Sequence, residues 1–202
     1  APLESSGGLL NNGSARIVFG GSDLAGVSTL DLGDFTGAGE GVVVTGSQDF
    51  QLLGSSVAGL GAFDSVLPSG GTGSGDDVAI GAPGTLAAAG RFFAGAVYVL
   101  RGDGASTPVA AVTSDDFGAG AGEAGPVYLG AATGDQFGSW VGSGGDITGD
   151  GFVELLASAP FNDGPGKADA GSLYVLPGRF GGVDPVGLDV GDIFVGDALA
   201  AV

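Results

Sequence analysis

The chain has 202 residues, a net charge of −18 from 23 acidic and five basic side chains, and neither Cys nor His. The missing Cys excludes a disulfide-built fold and thiol chemistry, and the missing His removes the usual general base and the usual zinc ligand. The basic residues, Arg16, Arg91, Arg101, Lys167 and Arg179, do not form the clusters that nucleic-acid phosphates or an anionic membrane surface require. Gly accounts for 45 residues and apolar side chains for 44%. Without a strict Gly-X-Y period this composition predicts a folded, turn-rich β protein with one sizeable core, not a collagen or a linker. No run approaches the ~18 apolar residues of a membrane span. No basic, then apolar, leader opens the sequence, so a secretion signal, if used, is expected outside these residues. An acidic surface suits solubility in salt and the capture of cations.

In chain order the anchor is Ala-Pro, at Ala1-Pro2, Ala82-Pro83 and Ala159-Pro160. A loop of small and polar residues follows each, then a β-rich run at 15–20, 96–102 and 172–178. Asp34-Phe35 leads into 37–40 as Asp116-Phe117 leads into 120–123. The runs at 41–46 and 125–130 align next. Leu53-Gly54, Phe137-Gly138 and Val195-Gly196 then share a register, and 77–83 aligns with 154–160. The sequence is therefore expected to hold units of ~60–80 residues with about four short strands each. Their approximate bounds are 1–81, 82–158 and 159–202. Four strands per unit predict an all-β fold, a β-propeller of four-stranded antiparallel blades, with about two and a half blades here. Open sheet edges are an aggregation hazard. The remaining blades are therefore expected from a longer polypeptide or from a partner chain.

One turn carries metal-site chemistry. Asp146, Thr148 and Asp150 place side-chain oxygens at alternate positions, the Phe152 carbonyl follows, and Glu154 closes the loop before an apolar run. Hard cations such as Ca2+ take six to eight oxygens, and a tight acidic turn between two strands can deliver them. The ion's expected role is structural, neutralising three carboxylates in one turn; an acidic turn without an ion is the plainer alternative. Mg2+ fits less well because it demands stricter octahedral geometry. The corresponding stretch 64–77 has lost the alternation. A solvated loop is expected there, with Asp77, in the register of Glu154, as its best ligand candidate beside Asp64 and Asp76.

The ordered elements Phe137-Gly138, 145–154, 158–160 and 170–176 resemble an FG-GAP repeat, the unit of the propeller at the head of integrin α subunits and of many bacterial secreted and surface proteins. The resemblance runs over the chain in three registers. It departs at Leu53-Gly54 and Val195-Gly196, which lack the Phe, and in the stretched loop 64–77. It implies a calcium ion held in a β-hairpin turn, here by 146–154, and a secreted or cell-surface location.

Catalysis is not expected. Without His no Ser-His-Asp arrangement forms within these residues, and the acidic pairs all sit in turns that the repeat already explains. The expected role is an extracellular, calcium-binding, non-catalytic scaffold for protein–protein or cell-surface contacts such as adhesion, with a protein or surface glycan partner. The runner-up is an accessory propeller of a secreted carbohydrate- or lipid-active enzyme. Arg101-Gly102-Asp103 is read as a chance tripeptide. Tyr98 and Tyr174 are expected in the core. Phe92, Phe93 and Phe161, in the loops after Ala-Pro, mark the more plausible recognition surface.

Overall fold

The computed structural model describes residues 1–20, 32, 41–63, 76–87, 90–102, 111–118, 124–178 and 188–189. Asp34-Phe35, 37–40, Asp64, Asp103, 120–123, Arg179 and Val195-Gly196 lie outside the described residues. The architecture is all-β, as the sequence predicts. A first sheet holds β1 (Ser14–Val18), β2 (Gly41–Thr45) and β6 (Ala111–Thr113). A second holds β3 (Ser56–Gly61), β4 (Asp77–Ala82), β5 (Ala96–Leu100), β7 (Val127–Leu129) and β11 (Leu188–Asp189). A third holds β8 (Trp140–Ser143), β9 (Leu155–Ala159) and β10 (Ser172–Leu176).

Strands β3, β4, β5 and β7 form an antiparallel four-stranded meander, consistent with a propeller blade. Strands β8, β9 and β10 repeat its first three positions. Side chains alternate with the pleat: Leu155, Ala157 and Ala159 of β9 are buried, while Leu156 and Ser158 between them are half-buried.

The edges hold a feature that the sequence does not announce. β6 lies between β5 and β7 in the chain, yet it pairs in parallel with β2, Val43 opposite Ala111 and Val44 opposite Val112. β11 follows β10 and pairs in parallel with β7, Leu188 opposite Tyr128. The β2 edge of the first sheet and the β7 edge of the second are thus each covered by a short segment of the following unit. An exposed edge offers unpaired N–H and C=O groups to any passing strand, and the borrowed segment removes that template.

Two cores lie between the three sheets. Val42, Val44, Ile80, Tyr98 and Val127 fill the first, and Leu60, Val97, Val99, Phe137, Leu155 and Leu176 the second. Tyr98 meets Phe117 edge to face with centroids 5.2 Å apart, and Tyr174 meets Phe137 at 5.3 Å. Both tyrosines are therefore inter-sheet core residues, as their equivalent strand positions predict.

The Phe-Gly element has a steric cause. Phe137 is fully buried, and Gly138 at φ +84° donates its N–H to the Ser158 carbonyl at 2.9 Å. A Cβ on Gly138 would lie 2.3 Å from the Ala96 carbonyl oxygen. Gly54 repeats this corner against the Ser14 carbonyl, with the same φ and the same distance. Leu53 is as buried as Phe137, so a large apolar side chain meets the need at that position.

The segment ahead of β1 is tied down by Glu4, which accepts hydrogen bonds from the Arg16 guanidinium and the Ser14 hydroxyl. The bonds from Arg16, then that from Ser14, hold the Glu4 carboxyl down at about 2 against an ordinary value of 4.5. A depressed carboxyl stabilises the fold above its unfolded pKa, and that contribution fades as pH falls through the folded one. The variant Glu4→Gln is expected to lose less stability than the native chain between about pH 4.5 and pH 2, measured by denaturant midpoints at each pH. Parallel acid limbs for the two proteins would show that the pair contributes nothing.

Candidate metal centre

The turn between β8 and β9 is closed by a two-way backbone pair. Gly144 N–H donates to the Glu154 carbonyl at 2.7 Å, and Glu154 N–H donates to the Gly145 carbonyl at 3.0 Å. The enclosed residues wrap around two carboxylates. Asp146 Oδ1 accepts N–H bonds from Gly149 (2.7 Å) and Asp150 (3.1 Å), and its Oδ2 accepts from Gly151 at 3.0 Å. Glu154 Oε2 accepts from the Ile147 and Thr148 amides, and its Oε1 accepts from the Thr148 hydroxyl at 3.2 Å. Asp150 Oδ1 accepts from the Phe152 amide at 2.9 Å.

One carboxylate oxygen from each of Asp146, Asp150 and Glu154 lies within 4.8 Å of the other two. Two oxygens sharing one ion at about 2.4 Å stand no more than about 4.8 Å apart, so the spacing fits a single calcium. Asp146 and Asp150 are exposed, whereas Glu154 is 1% exposed. Among the described residues no Lys or Arg pairs with any of the three; the ion pair formed there is Arg16–Glu4. Three carboxylates this close repel strongly unless a cation joins them. The donor set is all oxygen, which suits a hard divalent ion.

Of the five expected ligands, the fold gathers Asp146, Asp150 and Glu154. Thr148 stands beside them, its hydroxyl donating to Glu154. Phe152 is half-buried and tied to Asp150 through its amide. The sequence did not reveal that Glu154 and Asp146 also organise the turn by gathering backbone N–H groups.

Asp77, the register equivalent of Glu154, is likewise fully buried. Its carboxylate accepts from the amides of Phe63 (3.1 Å) and Gly102 (2.9 Å), joining the β3–β4 turn to the end of β5. Asp76 is exposed, and among the described residues no second group of three acidic side chains converges. Sequence reading also missed a buried polar set. Gln51 accepts from the Ser47 amide at 2.8 Å and donates to the Tyr98 hydroxyl at 2.8 Å. Asp135 accepts from Asn162 at 2.8 Å. The signal was present in the register, since Gln51 and Asp135 each stand two residues before the buried Leu53 and Phe137.

Phe92, Phe93 and Phe161 are 63%, 45% and 45% exposed, and Trp140 is 51% exposed. Among the described residues no helix is long and apolar enough to cross a membrane. No curated protein matches the chain. Residues 137–176, from the buried Phe-Gly corner through the acidic turn between β8 and β9 to the end of β10, match the FG-GAP repeat family.

Proposed function

We propose that the chain is part of a calcium-stabilised, non-catalytic β-propeller that works outside the cell as a scaffold for protein–protein or surface contacts. The observation that carries this reading is the convergence of Asp146, Asp150 and Glu154 in one hairpin turn inside the FG-GAP match. When bound, the ion would neutralise the three carboxylates and fix the β8–β9 hairpin. The chain's own residues pre-form the turn, Asp146 and Glu154 by holding its amides and Asp150 by facing them from the exposed side. The exposed rings of Phe92, Phe93 and Phe161, in the loops after Ala-Pro, supply apolar contact surface suited to a protein or glycan partner.

Asp150 is the best residue to test, because its side chain makes one hydrogen bond in the turn and its loss leaves the rest of the turn standing. Calcium titration of the native chain by calorimetry should show a site, and calcium should raise its Tm by the ligand-linkage relation. Asp150→Ala is expected to weaken calcium binding at least tenfold and to abolish most of the Tm response to chelator. A native chain whose Tm ignores millimolar calcium would defeat the calcium reading. A variant that keeps the full response would move the ion elsewhere.

A further inference from the structure

The acidic turn reaches the neighbouring sheet through the residue between two of its candidate ligands. Val153, flanked by Phe152 and Glu154, donates its N–H to the Ala62 carbonyl at 3.1 Å, just past the end of β3. Phe63, the next residue, donates its N–H to Asp77 Oδ2 at 3.1 Å and shares it with the Gly61 carbonyl at 2.9 Å. Asp77 Oδ1 accepts in turn from the Gly102 amide at 2.9 Å, past the end of β5. The junction is close-packed as well as bonded. A Cβ on Gly178, just past β10, would stand 2.5 Å from the Val153 carbonyl oxygen and 2.8 Å from that of Phe63.

These bonds run through shared peptide groups. A peptide unit is planar, and in its trans form the C=O and the N–H point opposite ways. Among the described residues no peptide bond is cis. The Val153 N–H that reaches Ala62 therefore lies in one plane with the Phe152 carbonyl, which the alternation of the loop predicts as a calcium ligand. The Ala62 carbonyl and the Phe63 N–H form the next plane, which ends on Asp77. Two amide dipoles thus run head to tail from the acidic turn to a fully buried carboxylate. Glu154, in the register of Asp77, does not make this tie itself, because its carboxylate turns into its own loop onto the Ile147 and Thr148 amides.

We propose that calcium in the β8–β9 turn clasps the third sheet to the second through this row of amides, so that calcium concentration sets how firmly the two sheets join at that end. The proposal rests on the calcium reading above and adds to it: the ion orders residues of the second sheet that give it no ligand. A cation drawing on the Phe152 oxygen makes the Val153 N–H a stronger donor, and the Asp77 carboxylate at the far end polarises the row in the same sense. Without the ion, three crowded carboxylates repel across the turn, and the plane between Phe152 and Val153 loses its fixed position against Ala62.

Amide hydrogen exchange tests this residue by residue. The isotope-labelled full chain is followed by NMR in millimolar calcium and in chelator, with calorimetry reporting calcium binding on the same samples. Calcium should raise the protection of the Val153 and Phe63 amides by about tenfold or more. Gly84 and Gly95, bonded at the opposite end of the second sheet, should change by less than about twofold. Val153→Pro deletes the N–H and no candidate ligand atom, so it should still bind calcium and show no rise at Phe63. Gly178→Ala forces the same junction apart with its added Cβ and should do likewise, which keeps the test decisive where the proline variant does not fold. Calcium bound with no rise at Phe63 of the native chain would overturn the proposal and leave the calcium reading standing, whereas no calcium bound would overturn both. An equal rise at Gly84 and Gly95 would also overturn it, because the ion would then act on global unfolding and not through this row. So would a rise at Phe63 that survives both substitutions.

Discussion

Replacing Glu154 by alanine is expected to destabilise the chain by about 3 kcal/mol, seen as a fall in Tm of about 10 °C. The side chain is 1% exposed and accepts two backbone N–H bonds and the Thr148 hydroxyl. Alanine leaves the Ile147 and Thr148 amides without that acceptor and opens a void at the start of β9. Both amides belong to exposed residues, so water takes up part of that loss, and the void left by the buried Glu154 side chain supplies the rest of the cost. Glu154→Gln separates this structural role from metal binding. Its amide oxygen can still accept from both amides, and its NH2 can donate to the Thr148 hydroxyl, so without calcium it should lose only about 1 kcal/mol. With calcium it should fall well short of the native chain, because a neutral ligand replaces a carboxylate. Equal calcium responses in Glu154→Gln and the native chain would remove Glu154 from the ligand set. A loss near zero in chelator for Glu154→Ala would show that the turn holds itself without the carboxylate.

The same residue shows how far the sequence could be read. Alternating oxygens at 146, 148 and 150 are a local pattern, and a turn of that length fixes the distances between its own side chains. Asp146, Asp150 and Glu154 were legible for that reason. The amides that Asp146 and Glu154 collect depend on backbone angles inside the turn, which residue types only loosely constrain. Strand positions were legible because apolar alternation and the Ala-Pro and Phe-Gly anchors recur in register. The edge strands β6 and β11 were not. Three residues and two residues are too short to show a period, and each one's partner is chosen by the neighbouring unit, not by its own side chains. Gln51 was hidden for a related reason. A single Gln in a Gly- and Ser-containing loop reads as solvated, and only the fold brings the Tyr98 hydroxyl and the Ser47 amide around it. Charge bore more on expectations about partners than on the site: −18 weighs against nucleic acid, yet most of that charge lies outside the one cluster that converges among the described residues.

Replacing Gly138 by alanine should be at least as damaging as losing Glu154, and for a reason that contains no polar chemistry. Two costs combine. The left-handed backbone at φ +84° costs a Cβ-bearing residue roughly 1 kcal/mol. The added methyl would also sit 2.3 Å from the Ala96 carbonyl oxygen, on the strand against which the corner rests. Relief requires the β8 corner to move off β5, which opens the core around Phe137 and Tyr174. The expected total is about 3–5 kcal/mol, within the range seen when a buried packing contact is forced apart. Gly134→Ala isolates the first cost. Gly134 also has a left-handed φ, +88°, but nothing lies within 4 Å of its would-be Cβ. Its register equivalent is Phe50, which carries a full side chain at φ +57°. That variant should lose about 1 kcal/mol or less. Urea midpoints for the two variants, measured under identical calcium, therefore separate backbone strain from corner contact. Equal losses would mean that the Gly138 corner has slack and that its glycine serves the backbone angle alone. A Gly138→Ala loss several times larger would mean that the Phe-Gly element is a contact between successive sheets, which the buried neighbour, Phe or Leu, then locks in place.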